Sequence, residues 1–263
     1  MNLKLRPTRR RTAAWFGGWL LVGLWVTTAV SADLPDAAAL AQGGVWIFER
    51  LDLAPGAPVE KGAVALDVWR TDPEAGIAVA AVRIVQVKHH QAGAVVWEQL
   101  SSPVLRETAC RTAWQWNPPG AHARVGVSLQ AARREFDRYG AWWRFESRAG
   151  AGWFAARGGA GVVLQMPFAR GALPQLHAGV CWRAGGHAAL ALQADPDPLR
   201  PGAWHVAWSW DAPGYRALVG YDAAANAVGV GLDVARGGLH VVWGARMHPE
   251  LGWSHAWSCV WQR

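Results

Sequence analysis

Between Trp204 and Gln262 the chain sets a large apolar residue at every second position, with small or polar residues between. Trp204, Val206, Trp208 and Trp210 alternate with His205, Ala207 and Ser209. Val228, Val230, Leu232 and Val234 alternate with Gly229, Gly231 and Asp233, and Leu239, Val241, Trp243, Ala245 and Met247 with His240, Val242, Gly244 and Arg246. The last stretch carries Trp253, Trp257, Cys259 and Trp261. Successive side chains of a strand point to opposite faces, so each segment is expected to be a strand with one apolar face. The same reading continued upstream gives strands at 62–69, 77–89, 94–100, 108–116, 122–130, 141–156, 161–167, 176–182, 187–193, 204–210, 215–221, 228–234, 239–247 and 253–261. No helical period competes over this span. Pro73, Pro118, Pro119, Pro174, Pro196, Pro198, Pro201, Pro213 and Pro249 fall in the connections, where no ladder donor is needed.

The connections carry a second pattern. Counted back from the C-terminus, 248–252, 222–227, 194–203, 168–175, 131–140 and 101–107 are longer than or equal to their neighbours 235–238, 211–214, 183–186, 157–160, 117–121 and 90–93. The shorter set reads as tight turns rich in Gly-Gly, Pro-Gly and Pro-Pro-Gly. A membrane-spanning barrel has short turns on one rim, longer loops on the other and an even strand count. The expected fold is therefore all-β, a transmembrane antiparallel up-and-down barrel of about 14 strands, with 12 as the alternative.

The two faces separate chemically. One carries Val64, Leu66, Val68, Trp114, Trp116, Val125, Val127, Leu129, Trp143, Phe145, Val162, Leu164, Val180, Trp182, Leu190 and Leu192. The other carries Asp67, Arg111, Gln115, Arg124, Ser128, Gln130, Arg144, Glu146, His177, His187, Gln193, His205, Arg216, Asp233, His240 and Arg246. In lipid the backbone must close its hydrogen bonds internally and the outside must be apolar, which leaves the lumen to the polar set. Asp67, Arg111, Arg124, Arg144, Glu146, His187, His205, Arg216, Asp233, His240 and Arg246 are the lumen-lining candidates. Two roles fit them: ion pairs filling a narrow interior, or an arginine-lined passage that favours anions. The 19 tryptophans, several at strand ends, suit aromatic belts at the two membrane interfaces.

Composition changes this picture only at the N-terminus. Lys4, Arg6, Arg9, Arg10 and Arg11 precede an apolar run from Ala13 to Val30, and Val30-Ser31-Ala32 supplies small residues before a cut, so 1–32 reads as a cleaved signal peptide. The net charge of +7 includes these five cations; the remaining chain carries +2, which gives no reason to expect a nucleic-acid partner. Residues 33–61 are irregular, with an alanine-rich 36–42 stretch and a possible strand at 45–53, and are expected to be a periplasmic lead-in or a small plug. The barrel is assigned to 62–263. Cys110, Cys181 and Cys259 are too scattered for a disulfide framework, although one pair remains open to bridging.

Catalytic and metal chemistry find little purchase. The histidines His177, His187, His205 and His240 have no ligand spacing within one strand, so neither a metal nor another cofactor is expected. His255 is the one polar residue on the apolar face of the last strand. Nucleophilic catalysis needs a base, a nucleophile and an orienting group within hydrogen-bond reach. The facing strand offers Leu239, Val241 and Trp243 instead.

From about Gly62 to the C-terminus the chain resembles bacterial outer-membrane β-barrel proteins as a class, and no family signature narrows this further. The resemblance implies an outer-membrane location, contact with outer-membrane lipid and a possible envelope protein partner. Such proteins end on an aromatic residue; here Trp261 is followed by Gln262 and Arg263. The expected function is a scaffold or a narrow porin-like conduit. A secreted, tryptophan-rich carbohydrate-binding β-sandwich and a lipid-modifying barrel enzyme are the alternatives.

Overall fold

In a computed structural model of the chain, residues 62–70, 76–169, 172–184, 187–195, 203–250 and 252–262 are described. The expected signal peptide at 1–32 and the lead-in or plug at 33–61 lie outside the described residues. The strands are β1 (Ala63–Arg70), β2 (Ala78–Lys88), β3 (Gln91–Ser101), β4 (Leu105–Trp116), β5 (Ala123–Phe136), β6 (Gly140–Ala155), β7 (Gly158–Pro167), β8 (Gln175–Ala184), β9 (Ala188–Ala194), β10 (Trp204–Ala212), β11 (Tyr215–Asp222), β12 (Ala227–Arg236), β13 (Leu239–His248) and β14 (Gly252–Gln262). Each pairs antiparallel with its sequence neighbours, and the ring closes where β1 meets β14, from Ala63 opposite Gln262 to Arg70 opposite His255. Closure removes both free edges, so ladder donors and acceptors are satisfied without water. Fourteen strands, not twelve, make the barrel, and a two-sheet sandwich is not the fold.

The outward face is apolar along nearly every strand. Leu66, Val68, Val127, Leu129, Val180 and Leu192 are all exposed there, where a water-soluble barrel would place polar residues. Aromatic side chains concentrate at the two ends of the strands. Trp114, Trp116, Trp153, Trp182, Trp210, Tyr215 and Trp261 ring one rim, while Trp143, Trp204 and Trp253 stand at the other, all exposed. An amphipathic ring at each interface is the arrangement expected of a bilayer-spanning barrel.

The rims differ as the loop lengths imply. One bears the two-residue turns His89–His90, Ala156–Arg157, Pro213–Gly214 and Gly237–Gly238. Gly237 and Gly238 both have positive φ (60° and 84°), as a turn matched to strand twist requires. The opposite rim bears the longest connection, between β9 and β10.

The alternation of lengths breaks at one place. Asn117–His122, on the tight-turn rim, is longer than both Ser102–Val104 and Asp137–Tyr139 opposite. The expected loop at 131–140 is instead mostly strand: β5 runs to Phe136 and β6 starts at Gly140, joined by a turn with Arg138 at φ 72°. Likewise β4 begins at Leu105, within the expected 101–107 loop.

Candidate functional site: the inward face of the barrel

Inward positions alternate with the apolar exterior, so register alone decides which polar side chains meet. Three groups result. The first lies on β3–β6. Arg111 on β4 faces Gln130 on β5 directly and Glu98 on β3 diagonally. Its Nε donates to Gln130 Oε1 at 3.1 Å and its Nη2 reaches Glu98 Oε2 at 3.4 Å. Four residues further along each strand toward the long-loop rim, Arg134 on β5 stands opposite Glu107 on β4 and donates to it. Glu146 on β6 takes Arg144 Nη2 on one oxygen at 2.7 Å and Arg148 Nε on the other at 2.8 Å. These two partners are neighbours at i ± 2 on one face of the same strand. Charge-assisted bonds of this kind are the strong ones, because both partners are desolvated and fixed in direction.

The second group sits at the long-loop rim of β7–β13, around Asp195, the residue just past β9. His177 Nδ1 lies 2.8 Å from Asp195 Oδ1, and His205 Nε2 lies 2.9 Å from Oδ2. The Gln193 amide donates to both carboxylate oxygens, at 2.9 and 3.0 Å. His205 also reaches Asp222 Oδ1 with its Nδ1 at 3.5 Å, and Arg246 bonds the other oxygen of Asp222. His177 Nε2 meets Gln165 Oε1 at 3.1 Å, carrying the chain of contacts back to β7. Burial by itself would raise the Asp195 carboxyl, but the hydrogen bonds and charges of His177 and His205 outweigh it and hold the group well below the usual carboxylate range. The backbone of Asp195 bonds the carbonyl of Ala203 at 3.0 Å, so the carboxylate anchors the base of the longest connection.

The third group consists of looser pairs. Arg216 donates to Asp211, and His240 Nδ1 lies 3.2 Å from Asp233 Oδ1, both toward the tight-turn rim. Arg83 and Asp67 lie 3.7 Å apart across β1 and β2. The guanidinium of Arg124 stacks 5.6 Å above the ring centroid of Phe154.

Of the sequence-derived lumen candidates, Asp67, Arg111, Arg124, Arg144, Glu146, His205, Arg216, Asp233, His240 and Arg246 stand on inward positions of the wall. His187 does not. It sits exposed in the turn before β9, where Nδ1 lies 3.3 Å from the Asp211 carbonyl. Of the carboxylates among them, Glu146 meets Arg144, Asp67 meets Arg83 and Asp233 meets His240, while Arg216 meets Asp211. Glu98, Glu107, Arg134, Arg148, Asp195 and Asp222 belong to the inward network, and sequence reading missed all six. Glu107, Arg134, Asp195 and Asp222 fell in expected loops. Arg148 follows Arg144 and Glu146 at the same period of two, which was the available signal. Glu98 sits on a strand apolar on both faces, where parity is silent.

His255 is exposed on the outward face, between Trp243 (centroids 6.2 Å apart, planes at 23°) and Trp253 (6.3 Å, 14°). Its ring is thus one layer of an aromatic stack. Cys110 and Cys259 are exposed on the outward face, Cys181 is on the inward face, and all three are free, so the expected possibility of a bridge is not realised. Among the described residues no group of three or more His, Cys, Asp or Glu is arranged to hold a metal ion.

No family model matches the chain, and no curated protein matches it in sequence. Solved structures match in shape. The chain is similar to the CymD monoaromatic hydrocarbon channel, with a TM-score of 0.61 and 11% identity over 87% of this chain and 97% of that one. Engineered porin variants from Rh. blastica also align, at 8% identity over 77% of this chain and 99% of theirs, with a TM-score of 0.44. The channel likeness, together with the apolar exterior and aromatic belts, defines the fold as a transmembrane antiparallel β-barrel of fourteen strands.

Proposed function

We propose that this protein is an outer-membrane barrel, exported by the 1–32 signal peptide, that serves as a narrow porin-like conduit for small solutes. The observation that carries this reading is the inversion of the faces: an ion-paired polar wall inside a closed ring whose outside is apolar. A scaffold needs an apolar exterior but has no need of a charged interior. The fold likeness to a hydrocarbon channel makes small aromatic solutes one class to assay. The inward cluster of Ala92, Ala94 and Ala113, packed with Val85 and Val87, would offer such solutes an apolar track. The tight-turn rim is taken to face the periplasm and the long-loop rim the exterior.

The test is purified protein in planar bilayers and in solute-loaded liposomes. Discrete conductance steps or solute-specific efflux support the conduit. Neither signal, together with stable co-purification of an envelope protein, favours the scaffold. His255→Ala is expected to leave transport unchanged, since its ring only stacks on tryptophans.

A further inference from the structure

One patch of the outward face breaks the apolar exterior. Arg106 on β4 and Arg133 on β5 are exposed there. Each stands about ten residues from the tight-turn end of its strand, the length a tilted strand needs to cross a bilayer. Both therefore lie at headgroup level, just beyond the hydrocarbon. The ladder sets Arg106 opposite Glu135 and Arg133 opposite Thr108, so the two guanidiniums are diagonal neighbours on one face, within reach of a single anion. The Glu135 carboxylate is taken by Arg133, two residues before it on the same strand. Arg106 has no ionic partner among the described residues. The patch thus carries one positive charge in excess, and Thr108 and Gln99, opposite each other on β4 and β3, add neutral hydrogen-bonding groups beside it.

The next outward row toward the bilayer continues the site. Trp97, Cys110, Ala131 and Phe145 stand side by side across β3–β6. Two small side chains form a floor between two larger ones, Trp97 at 43% and Phe145 at 50% exposure. Trp143 stacks on Phe145 to raise one flank, with centroids 6.2 Å apart and planes at 16°. A furrow of this form fits one extended acyl chain. The long-loop ends of β8–β11 carry no counterpart, since their outward residues there are Leu176, Ala194, Trp204 and Tyr221. We propose that Arg106 and Arg133 hold the phosphate of a phosphorylated membrane lipid, with one of its acyl chains in the furrow between Trp97 and Phe145. A guanidinium meets a phosphate through paired, charge-assisted hydrogen bonds. Arg133 keeps Glu135 on some of its five donors and has others for the lipid. The ligand is a lipid rather than a free anion because cations and furrow form one continuous surface.

Native mass spectrometry of the full chain tests the site, with the protein released from nonionic micelles that contain equal amounts of phosphatidic acid and phosphatidylcholine of matched acyl chains. Heat-modifiable migration reports the folded barrel in every sample. The parent should retain phosphatidic acid and little phosphatidylcholine. Arg106→Gln with Arg133→Gln should lower that retention on the order of tenfold. Ala131→Phe, which fills the furrow and leaves both cations, should lower it as well. Equal retention of the two lipids by the parent overturns the proposal, as does undiminished retention in the double arginine variant. If excess inorganic phosphate displaces the lipid and Ala131→Phe has no effect, the patch takes a free anion and the lipid assignment falls. Where the double variant does not fold, Arg106→Gln alone decides by the same criteria.

Discussion

The wall of β4–β6 and the wall of β8–β11 solve the same problem at different heights. The strands of the first run to 12, 14 and 16 residues; those of the second to 10, 7, 9 and 8. A tilted strand needs about 9–11 residues to cross a bilayer, so the first wall rises beyond the hydrocarbon and the second ends near it. The outward residues agree. Leu129 and Phe145 are apolar, but beyond them Arg106 and Arg133 face outward, Arg133 paired with Glu135. The tall wall is stiffened inside by arginine–glutamate pairs, the short one by histidines on Asp195 at its mouth. Height above the membrane and choice of ionic partner thus vary together around one ring.

The comparison is most sharply tested inside. Glu146→Gln strands Arg144 and Arg148 on the tall wall and should lower stability by about 3–5 kcal/mol, as loss of one member of a buried pair does. Asp211→Asn, on the short wall, removes the partner of the half-exposed Arg216 and should cost about 1 kcal/mol or less. Urea unfolding of the lipid-reconstituted barrel, followed by tryptophan fluorescence, measures both. Equal losses would mean the two walls are not differently packed.

Lipid depth comes next. Leu129→Arg, at mid-strand on the outward face, should cost about 2–4 kcal/mol, whereas Trp143→Arg, level with Arg133, should cost about 0–1 kcal/mol. The same unfolding assay reads the difference, and a large loss at Trp143 would place the tall wall within the bilayer.

Asp195→Asn tests the short wall. It should cost about 1–3 kcal/mol near neutrality, where a buried charged acceptor is lost. The folded carboxyl lies below its ordinary value, so its contribution is complete above about pH 4 and is lost as pH falls from there. Parent and variant should therefore converge in acid; a gap that widens below pH 4 would contradict the assignment. The smallest effect belongs to Arg133→Ala, which breaks a half-exposed pair and should cost less than about 1 kcal/mol in the same assay.

The misread segments have one physical cause. Hydrophobic alternation appears only where one face meets lipid. In Leu105–Thr108 and Ala131–Phe136 both faces carry charge, Arg106 outside and Glu107 inside, Arg133 and Glu135 outside and Arg134 inside. The pattern there resembles a polar loop although the backbone is a paired strand. Asp195 and Asp222 escaped for a related reason: each sits at the mouth, next to a connection, where Asp reads as one of the ordinary turn residues.

What the sequence determined by itself was local. Period two is a property of each strand's own backbone, so strand positions, the lipid face and the parity of residues such as Arg111 and Glu146 were legible from one segment at a time. Partnership was not. Whether Arg111 meets Glu98 or Asp67, and whether Asp195 lies between His177 and His205, depends on the register of strands up to 28 residues apart and on the closure of β1 against β14. A one-residue slip in any ladder exchanges the faces of that strand and dissolves the network. Only the closed ring fixes all of those registers at once.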